Sequence, residues 1–435
     1  MILLNRAVVA FGLGIAPDPD VLDLHWQHLS LADLRADLVG SLVDLHAQPP
    51  LWNGVIGLAS IACDARVDCA ARVLHGLHLV LSMGLFLLLY ALGRRLLRHR
   101  GAAALIALGF SLSPAAIYYE NYLFYPQLTA FLFAVFAWAL LRWLDDRGLV
   151  SLAVLAGALV TLSWTWTLFH PVFVLVVLAA VLVAARPAPR AALIMAAVAL
   201  LLSLAPAIKN QVRFGFFGAG SWLGLNLSQV APGGVDGCGF SDYIALHGQP
   251  DGHLGSMFND PRMIAYSAAC RDAALERIRA QPLTYARDRL RQVISALSLR
   301  PSDYIFDPPN WDRYPILLRQ TEIRASDGSL RPVAVATRLG VLGFNLAVLA
   351  FMLWRMGRSR NPLERRFLGV MAVFVVLFFG LAHGANGSEQ ERMRFTIHPL
   401  LWLYGCLMLW AAARGLWGRG SHPSPSSGPL PGGGR

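Results

Sequence analysis

Charge is what this chain has least of: Asp, Glu, Lys and Arg together make up 14% of its 435 residues, against roughly a quarter in soluble domains. That scarcity excludes an ordinary water-soluble globular protein. Lysine is nearly absent, Lys209 being the single one in the chain. No GxxxxGK(S/T) loop occurs and no Gly-rich loop stands between a strand and a helix, which excludes the common nucleotide-binding signatures. The five cysteines include no CxxC pair and no Cys/His spacing suited to structural zinc.

What is present is apolar and long: hydrophobic residues make up 56% of the chain and mean hydropathy is +0.51. Runs near 2–16, 70–93, 102–118, 126–143, 149–165, 168–185, 191–208, 333–354, 367–384 and 397–413 approach the length that crosses hydrocarbon as a helix. The sequence therefore predicts an all-α polytopic membrane protein with about ten transmembrane helices. Arginines follow alternate runs: Arg94, Arg95, Arg98 and Arg100, then Arg186 and Arg190, then Arg355, Arg358, Arg360, Arg365 and Arg366, then Arg414 and Arg419. By the positive-inside rule these loops and both termini are cytoplasmic, and 17–69, 119–125, 209–331 and 385–396 lie outside. Anchoring arginines account for the formal charge of +11, so no nucleic acid partner is expected. The first run carries Asn5 and Arg6; a cleaved signal peptide is its rival reading, but no small-x-small site precedes Pro17. The predicted organisation is a transmembrane core over 1–208 including the loop 17–69, an outer domain over 209–332, further transmembrane helices over 333–417, and a Pro/Gly/Ser-rich disordered cytoplasmic tail over 418–435.

The unexplained polar residues all fall in the outer segments. Asp18, Asp20 and Asp23 open the first loop, and Ser30-x-x-Asp33 reads as a helix cap. Leu31, Leu34, Leu38, Leu42 and Leu45 then make one apolar stripe, as of a helix lying on the membrane surface. Pro49-Pro50 ends it, and Leu51 to Ala62 is a second apolar stretch too short to cross. Between them stands the turn His46-Ala47-Gln48-Pro49-Pro50-Leu51. Glu120 sits in an aromatic turn, and Lys209, Arg213, Arg392 and Arg394 place cations on the side where they are normally depleted, suiting a lipid phosphate. Cys63, Cys69, Cys238 and Cys270 fall outside, where Cys63 with Cys69 and Cys238 with Cys270 is one of three pairings. Helices are predicted at 261–279 and 283–299 in the outer domain.

This set resembles the GT-C superfamily of integral membrane glycosyltransferases, in particular protein O-mannosyltransferases, aminoarabinose transferases and Rgt-like lipopolysaccharide sugar transferases. The resemblance covers the first 230 residues well and the last 80 loosely. It rests on Asp18 or Asp20 in the first outer loop, the His46 to Leu51 turn, Arg72-Val73-Leu74 opening the second span, Tyr119-Glu120-Asn121, and Glu391-Arg392-Met393-Arg394-Phe395. The usual Asp-Glu pair is replaced by Asp18-Pro19-Asp20, which leaves the catalytic acid open between the two. The resemblance implies inverting transfer of a sugar from a polyprenyl-phosphate donor, in a bacterial inner membrane, to an extracytoplasmic acceptor that is lipid, polysaccharide or protein. Asp20 before Asp18, with Glu120, are the expected catalytic carboxylates, and His46, Gln48, Lys209, Arg392 and Arg394 the expected substrate-binding residues. A divalent cation held by Asp18, Asp20 or Glu120 would fit this chemistry, although arginine can serve instead.

Each residue also has a plainer reading: the aspartates as solvated loop residues, His46 as a helix C-terminal cap, Glu120 as a partner of an arginine, and Lys209 as a membrane anchor. Two other functions compete as well. A transporter or flippase for a lipid-linked substrate would show ionisable residues at mid-membrane or broken helices. A non-catalytic assembly protein of the same fold would bind no prenyl phosphate.

Overall fold

The computed structural model describes Arg6, residues 16–17, 19–24, 27–248, 259–298, 332–382 and 390–419. Asp18, the rest of the first predicted span, 299–331 of the outer segment and the tail from 420 onward lie outside these residues. Among the described residues the chain is all helical, without strands. The outer loop gives α1 (Asp20–Leu24), α2 (Leu31–Ala36), α3 (Leu38–Asp44) and α4 (Leu51–Ala62). Then come α5 (Val67–Leu97), α6 (Arg100–Ser111), α7 (Pro114–Asn121), α8 (Pro126–Asp146), α9 (Leu149–Thr165), α10 (Pro171–Ala184) and α11 (Arg190–Phe214). The outer segment contributes α12 (Leu223–Val230), α13 (Phe240–His247), α14 (Arg262–Ala280) and α15 (Pro282–Ser298). The chain closes with α16 (Pro332–Arg358), α17 (Pro362–Ala382), α18 (Gln390–Phe395) and α19 (His398–Arg419).

Among the described residues, four helices are long and apolar enough to cross a membrane: α5, α8, α11 and α16 over Val335–Arg358. The pair α6 and α7 makes a fifth if it is one span bent by 52°. By that measure the described residues do not reach ten: α9, with 17 residues, and α10, with 14, are apolar but shorter. The sequence predicts one continuous helix over 102–118, and the structure breaks it. Ser113 is extended, its hydroxyl accepts from the Ala116 N–H, and Pro114 starts the new helix. A hydroxyl cap followed by proline favours starting a helix over continuing one.

The predicted surface helix from Ser30 is likewise two. Ser30 caps α2 by accepting from Asp33 N–H at 3.1 Å, as expected, but Asp37 leaves the helical region and its carboxylate accepts from Gly40 N–H at 2.8 Å, capping α3. A Cβ at Gly40 would lie 2.1 Å from that carboxylate, so glycine is what lets Asp37 fold back. The second predicted stretch is α4, from Leu51 to Ala62.

The centre of the bundle is α8. Phe133, Phe136, Leu140 and Trp143 are buried there, and Phe133 and Phe136 meet Phe374 of α17 at ring distances of 4.8 and 5.4 Å. Helices α5 and α9 flank α8. Both disulfides, Cys63–Cys69 and Cys238–Cys270, have formed, which makes the expected pairing the observed one. The second ties together a small separate core of Leu225, Tyr243 and Met263 in the outer segment. There α12 lies so close to α14 that a Cβ at Gly224 would stand 1.6 Å from the Ser267 carbonyl oxygen. Helix α11 continues past 208 to Phe214, so Lys209 and Arg213 belong to its last turns.

Candidate functional site

Asp20 is the first residue of α1 and is exposed. One residue on, the Val21 carbonyl accepts from His28 Nδ1 at 3.1 Å, and the other ring nitrogen, Nε2, accepts from Trp52 Nε1 of α4 at 3.2 Å. One nitrogen donating and the other accepting fixes His28 as a neutral imidazole. Burial pushes its pKa down to about 3, and the nearby Arg392 charge adds to the effect. The ring of Trp52 then meets His78 of α5 at 5.7 Å, and His78 Nδ1 donates to the Glu120 carbonyl at 3.2 Å. A buried seam of His28, Trp52 and His78 thus connects the backbone beside Asp20 to the backbone of Glu120.

Phe124 lies between His28 and Arg392. Its ring is 5.2 Å from the imidazole, while the Arg392 guanidinium stands 4.8 Å from Phe124 and 5.5 Å from Tyr125. Arg392 is nearly fully buried on α18, where low dielectric strengthens a cation's field. The Val21 carbonyl, next in sequence to Asp20, and the Phe124 ring, which carries Arg392, thus both contact His28.

The other candidates have different surroundings. Glu120 is buried, with its Oε1 2.6 Å from Arg6 Nε and its Oε2 2.9 Å from Arg6 Nη2; Arg6 also donates to the Ser111 carbonyl at 2.9 Å. Arg394 donates to the Ala296 carbonyl at 2.9 Å, and Asn345 Nδ2 to the Leu297 carbonyl at 2.7 Å, so the two close the C-terminal end of α15. Lys209 donates to the Leu45 carbonyl and stands over the Phe214 ring, and Arg213 pairs with Asp44 at 2.9 Å. Gln48 is buried in the turn.

His46 is fully buried and pins the loop to the outer segment. Its N–H donates to Asn259 Oδ1 at 3.0 Å, its carbonyl accepts from Ser221 N–H at 2.9 Å, and its Nδ1 meets the Ser221 hydroxyl at 3.0 Å. At the neighbouring residue a Cβ on Gly220 would lie 2.5 Å from the Ala47 carbonyl oxygen, so only glycine permits this approach. Burial pushes the His46 pKa down to about 4, against 6.5 when unfolded. Between those values the unfolded chain binds the proton and the folded one does not, so stability held above pH 6.5 falls as pH drops toward 4. The expected loss is at most about 3 kcal/mol. Unfolding in detergent at pH 7 and 4.5 checks it, with His46→Gln flattening that part of the profile.

A cavity of about 460 Å³ is lined by Met393, the residue after Arg392, together with Trp166, His170, Trp222, Tyr285 and Arg289. Arg289 donates to the Gly380 carbonyl at 3.2 Å and stands 5.5 Å from the Tyr285 ring. Among the described residues no three His, Cys, Asp or Glu side chains gather to hold a metal ion. Both Glu120 oxygens are engaged by Arg6, so a divalent cation does not fit there.

Sequence reasoning does not find His28 or Arg289. The role of His28 depends on Trp52, 24 residues later, and no local spacing signals it.

No family model matches the chain, and no curated protein does. Among solved structures it is similar to the archaeal oligosaccharyltransferase AglB from Archaeoglobus fulgidus, solved in complex with an inhibitory peptide and a dolichol-phosphate. Identity is 13% and the TM-score 0.43, over 98% of this chain and 53% of that one. The chain thus spans about half the length of that protein.

Proposed function

We propose that the chain is a membrane glycosyltransferase that moves a sugar from a polyprenyl-phosphate donor to an extracytoplasmic acceptor by inverting transfer. The observation that supports this reading is that His28 contacts both the Val21 carbonyl, next in sequence to the exposed Asp20, and the Phe124 ring that carries the buried Arg392. In-line displacement at an anomeric carbon needs both signs of charge. Asp20 takes the proton of the acceptor hydroxyl as its oxygen bonds to the anomeric carbon, and the bond to the phosphate oxygen breaks. Arg392 stabilises the phosphate that departs. His28 stays neutral and holds the backbone beside Asp20. The cavity bordered by Arg289 and Met393 is the space this reading assigns to the donor's prenyl phosphate. Glu120, in its ion pair, serves the scaffold, as do His46 and Arg394.

The test compares a deletion strain complemented with wild type and with Asp20→Asn, by analysis of envelope lipids, polysaccharides and glycoproteins. One glycoconjugate should be missing from both the deletion strain and the Asp20→Asn strain. Its normal presence in the latter would reject Asp20 as the base. A lipid transporter is the second reading, favoured by the 52° break between α6 and α7. It predicts prenyl-linked sugar accumulating on the cytoplasmic leaflet, whereas a transferase leaves it outside.

A further inference from the structure

Helix α4 reaches His28 through Trp52. On the side away from Trp52, α3 and α4 enclose an apolar trough of about 550 Å³ against α11, formed by Leu38 and Leu42 of α3, Gly54, Val55 and Leu58 of α4, and Pro206 of α11. The two faces of α4 have different partners. Trp52, Asn53 and Ser60 make the inward hydrogen bonds, to His28, to Leu29 N–H and to the Leu31 carbonyl, while Gly54, Val55 and Leu58 face the trough. The trough is therefore separate from the Asp20 site.

Its apolar lining runs on into the outer surface of a membrane-crossing helix. Leu201, Leu202, Ile208 and Val212 of α11 are exposed, as are Val39 and Leu58 at the trough's edge. Room inside is set by glycine: a Cβ at Gly54 would meet only Leu42 Cδ1, at 3.4 Å, so any larger side chain there grows into the space. At the rim stands the chain's single lysine, Lys209, with Arg213 one turn further along the same helix face. One ammonium N–H goes to the Leu45 carbonyl, which leaves two donors. Asp44 neutralises Arg213, so the rim keeps one positive charge.

We propose that this trough holds one alkyl chain of an anionic bilayer phospholipid, its phosphodiester seated at Lys209. A hydrocarbon slot opening along a spanning helix, with one net cation at headgroup level, matches a tail joined to a monoanionic phosphate. The site does not depend on the glycosyltransferase reading, since it requires only that α11 crosses a bilayer.

Native mass spectrometry of the full chain, exchanged into nanodiscs of phosphatidylglycerol, of phosphatidylcholine and of their equal mixture, tests it. Wild type should retain one phospholipid and favour phosphatidylglycerol by about fivefold. Lys209→Gln should bring that ratio to about one with total retention unchanged, and Gly54→Leu should lose both lipids. Should Gly54→Leu fail to fold, Leu58→Trp, at an exposed position of the same wall, carries the same expectation. The proposal is overturned if wild type retains no phospholipid, if Lys209→Gln keeps the preference, if the trough-filling variant keeps its lipid, or if added polyprenyl phosphate displaces phosphatidylglycerol from wild type.

Discussion

Asp20→Asn should slow sugar transfer by about 10²–10⁴-fold, the range for losing a positioned general base, while the protein folds and inserts as before. The expectation of intact folding comes from where the side chain sits. Asp20 is exposed at the start of α1, and the Val21 carbonyl of α1 is held by His28. Asparagine keeps the size of the carboxylate, but removes its charge and its capacity to take a proton and replaces one acceptor oxygen with a donor NH2. Purified enzyme, a synthetic polyprenyl-phosphate sugar and the acceptor found by the strain comparison make the assay, with both disulfides and the unfolding midpoint as controls. Turnover that survives in Asp20→Asn, and again with Asp18→Asn added, removes this base from the mechanism. A companion change, His28→Gln, acts through position. It should lower turnover while leaving donor binding near normal, because His28 touches Val21 and Trp52.

Periodicity and composition made the helices legible, and the reason is physical: in a bilayer every backbone group must be satisfied within its own segment, so apolar length alone announces a helix. The predicted runs from 70 to 208 and from 333 to 413 fall on helices in the expected order, and α14 and α15 lie within a residue or so of their predicted positions. What composition could not carry were the breaks. Asp37 and Ser113 interrupt predicted helices through side-chain caps that compete locally with the helix. The site was legible only by residue type. Asp20, Glu120, Arg392 and Arg394 are ionisable groups in odd places, but sequence does not say which meet. Arg6 claims Glu120 from 114 residues away, and Arg394 closes a helix end 98 residues away. Arg392 stands over the Phe124 and Tyr125 rings, and it is the expected phosphate contact that the proposed mechanism retains.

The Glu120–Arg6 pair separates scaffold from chemistry most sharply. Both partners are nearly fully buried and joined through two contacts, at 2.6 and 2.9 Å. Removing one side of such a pair leaves a buried charge without its counter-ion, which destabilises by about 3–5 kcal/mol. Glu120→Gln and Arg6→Gln should each lower the unfolding midpoint steeply, in urea or on heating in detergent. The double substitution to Gln at both positions should recover much of the loss, since two neutral amides can hydrogen-bond to each other and to the Ser111 carbonyl that Arg6 now uses. A strong favourable coupling in that double-mutant cycle is the mark of an ion pair that shapes the fold. A catalytic Glu120 would behave differently: Glu120→Gln would keep its midpoint and lose turnover, and Arg6→Gln would do no more harm than any lost scaffold contact. That pattern would move the base from Asp20 to Glu120 and recast Arg6 as the group that positions the carboxylate.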